Sequence, residues 1–391
     1  MGAYWSAVMG KRNPSEAEED DISPLTDDMH YLQRRKSLTK ELRRYYSEAV
    51  AIPNAKRKRA KEVVEDIKRS LQWFVGLMPI NESESKYIFG NIISQGSSYE
   101  GLKVIEPNEF DLLLPLELED GLWTYTAETA EEHNDDAIVA QTQYFYIEKD
   151  ENAKTLYENA IFNCVYLDPI TIKQRMQSIV QRAINKMNFP YLQGDITLCH
   201  GLGPALTLGV CYDDDKQKMK IDIVPSIRID DNLFVAKKHP DADYKSPENM
   251  HNYLWRESYS EKEKKIIKKM DKEDECRRTC LKILKTIREK KEKKASLLEE
   301  ALDSYHLKTC MLHLNDDKTI GPWDKDKLKY RFKDLLRKLL EFLEKKTMPN
   351  YHCSGVNLLS TIKNSQRIGI INWLTSILDS DDEHIINEML S

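Results

Sequence analysis

The spacing of apolar and polar positions predicts a chain that mixes helix and strand in its first part and is helical in its last. Apolar residues recur at helical intervals over residues 27–77, on both sides of Pro53, which predicts one long helix kinked at Ile52–Pro53 or two successive helices. A further helix is predicted from Pro169 to Lys186. From Ser258 onward the helical spacing continues almost to the end of the chain.

Two acids interrupt a strand pattern that is otherwise apolar. The stretch Gly96 to Leu118 reads GSSYEGLKVIEPNEFDLLLPLEL. Alternate residues of a strand point to the same face, so Glu109 and Asp111 share one face, while Phe110, Leu112 and Leu114 share the other. Like charges side by side repel, and a bound Mg²⁺ is the simplest group that offsets the repulsion. The alternative is a pair of solvated charges on an edge strand.

A third acid lies in a second alternating strand pattern. In KMKIDIVPSIR, residues 218–228, Asp222 shares a polar face with Lys220. If this strand neighbours the first, three carboxylates converge and can hold two Mg²⁺ ions about 3.5–4 Å apart, one activating a hydroxyl and one neutralising a leaving pyrophosphate. The Gly96–Ser97 turn offers backbone N–H groups and a hydroxyl to a triphosphate. The pattern therefore predicts metal-dependent displacement at phosphorus.

These elements together predict an α+β fold in two lobes, with a mixed twisted sheet and a long N-terminal helix in the first and helices in the second. We expect residues 1–25 to form a flexible polar tail. Residues 26–250 are expected to form the core that carries the acids and the long helix. Residues 251–391 are expected to form the helical lobe.

Composition is that of an ordinary globular protein. The chain has 391 residues, 40% of them hydrophobic, and a formal net charge of -6, which argues against a uniformly basic nucleic-acid binder. Because the sequence lacks an apolar run long enough to span a membrane and lacks a secretory signal, we expect a cytoplasmic protein. Its seven cysteines are expected to be free thiols. The opening MGAYWS matches the N-myristoylation pattern, so membrane contact is expected only if Gly2 is modified.

Several motifs resemble the cyclic GMP-AMP synthase family, the cGAS-like receptors with a male-abnormal-21-type nucleotidyltransferase domain. The Gly96 segment is similar to the family's Gly-Ser and metal-acid segment, and WRESYSEKEKKI at 255–266 is similar to its Trp-Arg-x-Ser-aromatic-Ser segment. ECRRTCLKILK at 275–285 and SYHLKT at 304–309 follow in the family's order. The resemblance implies a nucleotidyltransferase that makes a cyclic dinucleotide second messenger from ATP and/or GTP in innate immune and antiviral signalling.

The resemblance also implies roles for particular residues. Two Mg²⁺ or Mn²⁺ ions would be bound by the catalytic acids Glu109, Asp111 and Asp222. Nucleotide contacts would come from Gln95, Gly96, Ser97, Arg256, Ser258, Glu263, Lys285, Ser304, Tyr305 and Lys308. Within this set, Ser97 would contact a triphosphate, Arg256 would contact the acceptor base, and Tyr305 would stack on a base. Without the resemblance, Tyr305 is equally well interpreted as a core aromatic and Lys285 as one solvated charge on a basic helix.

The family resemblance further implies activation by a double-stranded nucleic acid on a basic surface. One candidate lies on the second half of the N-terminal helical region and comprises Lys56, Arg57, Lys58, Arg59, Lys61, Lys68 and Arg69. A second lies at 262–294, with fifteen Lys and Arg against seven Asp and Glu. Phosphate contacts of this kind are independent of base sequence. The alternative is that both are solvated helix faces, because acids interleave with the first.

One departure from the family bears on the activator. The vertebrate DNA sensor carries a zinc-binding His-Cys-Cys-Cys insertion before the Cys-Leu-Lys helix, whereas here KKMDKEDECRRTC runs straight through. Cys276 and Cys280 are at most half a zinc site. We therefore expect no structural zinc and favour double-stranded RNA over DNA as activator. A downstream cyclic-dinucleotide receptor would read the product. The alternatives are a DNA-activated synthase, an enzyme that elongates an oligonucleotide, and a scaffold without catalysis.

Overall fold

The computed structural model describes most of the chain. The described residues are 37–77, 88–117, 123–128, 142–149, 162–163, 166–187, 189, 192–199, 203–214, 216–272, 274–290 and 296–390. The tail predicted over residues 1–25, including Gly2, lies outside them. The three-part division of the chain, with boundaries near residues 25 and 250, stays a prediction.

The described strands form one mixed sheet. They are β1 (Ile88–Phe89), β2 (Ile93–Gln95), β3 (Glu109–Glu117), β4 (Trp123–Ala127), β5 (Tyr144–Lys149), β6 (Phe162–Asn163), β7 (Tyr166–Leu167), β8 (Ile196–Cys199), β9 (Leu206–Tyr212), β10 (Gln217–Ile229), β11 (Asn232–Val235) and β12 (Leu254–Glu257). β10 is the central strand: it pairs in parallel with β3 on one side and antiparallel with β9 and then β11 on the other. From β11 the sheet continues through β12 to β5, which also pairs with β4 and β7.

The described helices are α1 (Leu38–Tyr45), α2 (Asn54–Leu77), α3 (Ser97–Glu100), α4 (Pro169–Lys186), α5 (Ser260–Met270), α6 (Arg277–Lys290), α7 (Ser296–Ala301), α8 (Ser304–Asp316), α9 (Leu328–Lys345), α10 (Asn364–Leu378) and α11 (Asp382–Ile385). The helix predicted from Pro169 to Lys186 is confirmed at both ends. Its N-terminus is capped by Asp168, whose carboxylate accepts a hydrogen bond from the backbone N–H of Ile170.

The N-terminal helical region is two helices rather than one kinked helix. α1 continues as a wider π-helical turn to Val50. Residues 51–53 are not helical, and α2 begins at Asn54, directly after Pro53. The break separates two different packing partners. Leu38 and Leu42 of α1 are fully buried in the core of the helical lobe, whereas Ile67 of α2 is fully buried against the sheet. The predicted long N-terminal helix is α2.

The alternation read from the two acidic strands is confirmed. Phe110, Leu112 and Leu114 are at most 2% exposed and pack in the core beneath the sheet. Ile221 and Ile223 of β10 join the same core. Because these residues fix one face of each strand against α2 and α4, the alternate residues of β3 and β10 face away from that core.

The C-terminal part is helical, as predicted, and has its own core. Leu284 of α6, Leu335 and Leu339 of α9, and Leu374 of α10 are fully buried together. The fold class predicted from the sequence, a mixed sheet with helices followed by a helical lobe, is therefore confirmed. Among the described residues, none of the helices is long and apolar enough to cross a membrane.

Candidate functional site

Asp111 and Asp222 lie directly opposite each other. β3 and β10 run parallel, and the register pairs the α-carbon of Asp111 with that of Asp222. Both side chains line one cleft between the sheet and the helical lobe. The buried apolar faces of the two strands force this arrangement, since a shift of either strand by one residue would turn its acid into the core.

Asp222 is held by a neighbour on its other side. Thr207 of β9 is its cross-strand partner, and the hydroxyl Oγ1 donates a 2.6 Å hydrogen bond to Asp222 Oδ1. This bond fixes the orientation of the carboxylate and leaves Oδ2 for other partners. Sequence analysis missed Thr207, because its position in an alternating strand gives no sign of which residue it faces.

A glycine turn closes against Asp111. Gly96 has φ +80°, and a Cβ built on it would lie 1.9 Å from Asp111 Oδ2. The preceding residue, Gln95, is the cross-strand partner of Asp111 in β2. Ser97 begins α3, and the hydroxyl of Ser98 donates a 2.6 Å hydrogen bond to the carbonyl of Glu109. Only glycine allows the backbone to approach the carboxylate this closely in this conformation.

Glu109 lies on the same strand as Asp111, but its carboxylate forms an ion pair with Lys103. Lys103 Nζ lies 2.8 Å from Glu109 Oε2, and the Glu109 side chain is 67% exposed. The hydrogen bond from Lys103 lowers the pKa of Glu109 below its ordinary value, outweighing partial burial. Glu109 is not among the residues that line the cleft. The structure thus brings together two of the three predicted metal acids and places the third beside them in an ion pair.

The pKa of Asp111 is perturbed by its surroundings. Burial, followed by the nearby charges of Asp222 and Glu109, raises the pKa of Asp111 to about 6. An acid whose charge is opposed by burial and by like charges binds a proton more tightly, and a divalent cation in the same place relieves both effects. The oxygen-only donor set suits a hard ion such as Mg²⁺ or Mn²⁺.

The cleft is large enough for a nucleotide. Its volume is about 540 Å³, within the usual range for small-molecule sites. All ten predicted nucleotide-binding residues line it: Gln95, Gly96, Ser97, Arg256, Ser258, Glu263, Lys285, Ser304, Tyr305 and Lys308. The predicted set thus converges on one cavity from both lobes, although its roles toward a nucleotide stay predictions.

A buried ion cluster occupies the helical side of the cleft. Lys308 Nζ lies 2.6 Å from Glu263 Oε2 and 3.3 Å from Glu100 Oε1, and both glutamate side chains are at most 3% exposed. Burial lowers the pKa of Lys308, but the two carboxylates outweigh it and raise the pKa above its ordinary value. Tyr305 donates a 2.8 Å hydrogen bond to Glu263 Oε1 and accepts one of 3.1 Å from Asn350 Nδ2. Glu263 and Lys308 are thus partners of each other.

Two further lysines at the cleft have perturbed pKa values. Lys285 Nζ donates a 3.0 Å hydrogen bond to the carbonyl of Leu102, and burial lowers the pKa of Lys285 to about 8. The charge of Arg256 is the main cause that lowers the pKa of Lys237 to about 8. A lysine or arginine in such a position gains a favourable interaction when an anion binds. Sequence analysis missed Lys237, which lies two residues after the apolar end of β11.

The predicted nucleic-acid-binding residues all lie on α2. Several are paired with acids, including Lys56 with Glu106 at 2.8 Å, Arg59 with Asp213, and Lys68 with Glu65 at 3.8 Å. The side chains of Lys58 and Arg69 are the most exposed, at 81% and 68%, with carboxylates 3.9 and 3.8 Å away. The other members are Arg57 and Lys61. The surface is basic but interleaved with acids, and its binding role stays a prediction.

The second basic tract, residues 262–294, does not present one face to solvent over its described part. Lys282 and Lys285 of α6 are 4% exposed, and Lys282 Nζ lies 3.1 Å from the hydroxyl of Tyr46. Lys264 of α5 donates a 2.7 Å hydrogen bond to the carbonyl of Ser94. Cys276 and Cys280 of the same tract are at most 1% exposed in the helical core, where burial raises the pKa of Cys280. They pack as small apolar groups there.

Comparison with known proteins agrees with this architecture. The model of the Mab-21 protein nucleotidyltransferase domain matches residues 98–269, and that of the Mab-21 protein HhH/H2TH-like domain matches residues 276–375. The chain is 27% identical to cyclic GMP-AMP synthase-like receptor 3 of Stylophora pistillata over 354 residues, 88% of this chain and 96% of that protein.

Two further relatives differ in what their names describe. A cyclic GMP-AMP synthase-like receptor of Trichogramma pretiosum is 27% identical over 80% of this chain and 67% of its own length. The mitochondrial dynamics protein MID51 of Danio rerio is 26% identical over 93% of this chain and 74% of its own length.

The mixed sheet, the paired aspartates and the glycine turn that contacts Asp111 are the features of a nucleotidyltransferase fold, and the aspartates and the turn line one cleft. The two matched domains cover well over half of the chain in the expected order. The chain belongs to the Mab-21 family of nucleotidyltransferases, and the resemblance predicted from its motifs is confirmed.

Proposed function

We propose that this protein is a nucleic-acid-activated synthase that joins ATP and/or GTP into a cyclic dinucleotide. The observation that carries the proposal is the register of Asp111 and Asp222 on adjacent parallel strands, at the edge of a cleft of nucleotide size. Two carboxylates set against each other repel and oppose folding unless a cation binds between them, so their pairing favours a metal-dependent site.

The donor set fits a pair of divalent ions. Asp111 and Asp222 would hold them, with Glu109 as the third acid once it exchanges its bond to Lys103 for the metal. Bound Mg²⁺ or Mn²⁺ would activate the attacking hydroxyl and neutralise charge on the leaving pyrophosphate. Thr207 keeps the Asp222 carboxylate in place through its 2.6 Å hydrogen bond, so the site is oriented before any ion enters.

The glycine turn would receive the triphosphate. Gly96 brings the backbone against Asp111, and the Ser97 hydroxyl lines the cleft beside it. Backbone N–H groups and a hydroxyl at this place suit phosphate oxygens. Lys237 and Lys285, both with lowered pKa, lie in the same cleft and would be held protonated by the phosphate charge.

The helical side would hold the second nucleotide. The Tyr305 ring offers a stacking face, and its hydroxyl is already fixed by Glu263 and Asn350. Arg256 lines the cleft opposite, and no hydrogen-bond partner of its Nε occurs among the described residues. A buried guanidinium N–H without a partner favours a ligand that supplies an acceptor, such as the edge of a base.

We further propose that double-stranded RNA activates the enzyme through the exposed basic residues of α2. α2 packs its apolar side on the sheet that carries the aspartates, so a duplex on its outer side lies one element away from the cleft. The uninterrupted run from α5 into α6, where the vertebrate DNA sensor carries a zinc insertion, favours RNA over DNA. Cytoplasmic location and a downstream receptor of the product belong to the same proposal.

The decisive experiment is incubation of the full chain with all four nucleoside triphosphates and Mg²⁺ or Mn²⁺, with and without duplex RNA or DNA. The expected product is a phosphatase-resistant cyclic dinucleotide, identified by mass spectrometry, that increases with duplex RNA and disappears in Asp111→Asn and Asp222→Asn. A ladder of products would instead show oligonucleotide elongation. Nucleotide binding without any product would show a scaffold, a possibility that relatives named for mitochondrial dynamics keep open.

A further inference from the structure

Three metal-ligating side chains meet outside the cleft. Glu128 directly follows β4, His239 lies in the loop after β11, and His251 lies in a short 3₁₀ turn, Met250–Tyr253, that ends the same loop. Glu128 Oε1 lies 3.4 Å from Nε2 of His239 and 3.4 Å from Nε2 of His251. The three ligand atoms all lie within 4.8 Å of one another. None of the three lines the cleft or entered the sequence predictions.

We propose that Glu128, His239 and His251 form a binding site for a Zn²⁺-class transition-metal ion, separate from the paired aspartates. Two imidazole nitrogens and one carboxylate oxygen are a common three-residue zinc set, which leaves the fourth tetrahedral position to solvent. The proposal is independent of the cyclic-dinucleotide synthase activity.

The separations suit such an ion. A tetrahedral site with bonds of about 2.0–2.2 Å has ligand-to-ligand edges of about 3.3–3.5 Å, and both distances from Glu128 Oε1 are 3.4 Å. The two imidazole rings are stacked, with centroids 4.7 Å apart and planes 12° apart. Their Nε2 lone pairs must point to one centre, so binding requires the rings to tilt toward each other.

The hydrogen bonds of His251 favour a cation at its Nε2. Its Nδ1 lies 3.1 Å from Asn249 Oδ1, an oxygen that also accepts the backbone N–H of His251 at 3.0 Å. Nδ1 must therefore carry the proton, which leaves the lone pair of Nε2 facing the Glu128 carboxylate in the neutral ring. His251 Nε2 and Glu128 Oε1 are then two acceptors that face each other 3.4 Å apart. A metal ion bound by both atoms would replace this unfavourable contact with two metal–ligand bonds.

His239 has an outer partner for the bound state. Its Nδ1 accepts a 3.1 Å hydrogen bond from the backbone N–H of Asp241, so its Nε2 carries the proton and can donate to Glu128. Coordination through Nε2 moves this proton to Nδ1. The backbone N–H of Asp241 then has no acceptor at Nδ1, so the ring must move for Nδ1–H to donate instead to the carboxylate of Asp241, 3.8 Å away. The result is the carboxylate–histidine–metal arrangement usual for zinc ligands.

The loop that carries both histidines is ordered by its own side chains. Asn249 Nδ2 donates to the carbonyl of Asp241, and Asn252 Nδ2 donates to the carbonyls of Asp243 and Ser246, all at 2.9 Å. These bonds bring His239 and His251, twelve residues apart, to one place without an ion. The site therefore needs ring movement rather than folding of the loop to bind.

A metal here would brace one wall of the cleft. The same loop begins with Lys237 and Lys238, which line the cleft. The ring of Tyr144 packs edge-on against His239, with centroids 4.4 Å apart, and Tyr144 is the cross-strand partner of Arg256. Fixing His239 thus fixes the segment next to two cationic side chains of the cleft. If the proposal is right, the expectation of no structural zinc is wrong, although at a different place from the cysteine-rich insertion.

The test uses the full chain, stripped with chelator, with excess Mg²⁺ present to occupy the paired aspartates. Zn²⁺ is titrated by calorimetry, and Co²⁺ is used as a visible probe whose intense absorption reports tetrahedral coordination. The wild type is compared with His251→Gln, a half-exposed ligand whose loss leaves the fold intact, and with His384→Gln, an exposed histidine of α11. Glu128→Gln serves as a second ligand variant.

We expect one ion per wild-type chain, a tetrahedral Co²⁺ spectrum and a rise in melting temperature with Zn²⁺. His251→Gln and Glu128→Gln should bind more than about 100-fold more weakly, because even outer-shell partners of a metal are typically worth 10- to 100-fold in affinity. His384→Gln should behave as wild type. Equal Zn²⁺ binding by wild type and His251→Gln, or a wild type that binds no Zn²⁺, would overturn the proposal.

Discussion

The α-carbons of Asp111 and Asp222 are direct partners on parallel strands, so the two carboxylates stand side by side at one edge of the cleft. Their mutual repulsion and the burial of Asp111 are present whether or not a ligand is bound, and together they raise the pKa of Asp111 to about 6. A site built for cations therefore destabilises the protein when cations are removed.

The first prediction concerns the loss of folding stability that the charged Asp111 causes when no cation is bound. Asp111 binds its proton more tightly in the folded chain than in the unfolded chain, where its pKa is about 3.9. The stabilisation that protonated Asp111 provides is therefore lost as pH rises from about 4 to about 6. In chelator at pH 8, Asp111→Asn should be more stable than wild type by about 1–3 kcal/mol, and the difference should shrink at pH 4.

Urea denaturation at both pH values measures this difference. Millimolar Mg²⁺ should reverse its sign at pH 8 by stabilising the wild type more than the variant. Asp195→Asn, at an exposed position, is the control and should change stability little at either pH. An Asp111→Asn variant that is less stable than wild type in chelator at pH 8 would contradict the prediction.

The second prediction compares two glycines that both have positive φ but differ in ψ, at -179° for Gly96 and 18° for Gly101. Gly96 and Gly101 both have positive φ, at +80° and +77°. A Cβ at Gly96 would meet Asp111 Oδ2 at 1.9 Å, whereas one at Gly101 would meet only an Arg278 nitrogen at 3.8 Å. Alanine in the left-handed conformation of Gly101 carries a strain of about 1–2 kcal/mol, whereas the conformation of Gly96 is essentially restricted to glycine. Only Gly96→Ala also displaces a carboxylate of the site.

We expect Gly96→Ala to lower nucleotidyl transfer by about 100-fold, the size of effect that a displacement of about 1 Å can cause. It should also raise the Mg²⁺ concentration needed for half-maximal activity. Gly101→Ala should lose less stability than Gly96→Ala and keep most of its activity. Equal activities of the two variants would show that close approach to Asp111 is not needed.

The third prediction concerns the buried ion cluster. Lys308 lies between Glu100 and Glu263, and both carboxylates are almost fully buried. Lys308→Met would leave two buried carboxylates without a counter-charge, and breaking a buried ion pair on one side typically costs about 3–5 kcal/mol. Urea denaturation followed by circular dichroism should show a loss of this size in the free energy of unfolding.

Adding Glu263→Gln to Lys308→Met should recover part of this loss, because the second change removes one of the uncompensated charges. Lys318→Met, at an exposed position, should stay within about 0.5 kcal/mol of wild type. A Lys308→Met variant of wild-type stability that has merely lost nucleotide affinity would assign Lys308 to ligand binding alone.

Periodicity located the acids of the site but not their partners. The alternation in β3 and β10 placed Asp111 and Asp222 on the faces away from the core, because Phe110 and Ile221 are buried and adjacent side chains of a strand point to opposite faces. It did not show that Lys103 pairs with Glu109, since Lys103 lies in a loop whose path depends on α3.

The same limit applies to the helical side of the cleft. Sequence motifs identified Glu263 and Lys308 as nucleotide-binding residues, yet the ion pair between them joins α5 to α8 across 45 residues of sequence. Helical spacing shows which side of each helix is apolar but not which helices pack together. The neighbours of Thr207 and of the histidines beside Glu128 also depend on tertiary packing, so the sequence did not indicate their contacts.

The last prediction concerns the outer side of α2. Lys56 and Arg59 are engaged by Glu106 and Asp213, whereas the side chains of Lys58 and Arg69 extend into solvent and are 81% and 68% exposed. A duplex would meet the extended pair first. Lys58→Glu/Arg69→Glu should therefore weaken binding of double-stranded RNA and reduce the slope of log affinity against log salt by about 2.

The matched control is Lys318→Glu/Lys346→Glu, which makes the same change of net charge at exposed positions of the helical lobe. It should leave RNA affinity and salt slope near those of wild type. Fluorescence anisotropy across a series of salt concentrations measures both quantities, and melting temperatures confirm that each variant is folded. Because the two double variants carry the same net charge, equal weakening by both would assign RNA binding to overall charge. Unchanged binding in both would instead leave α2 as a solvated face.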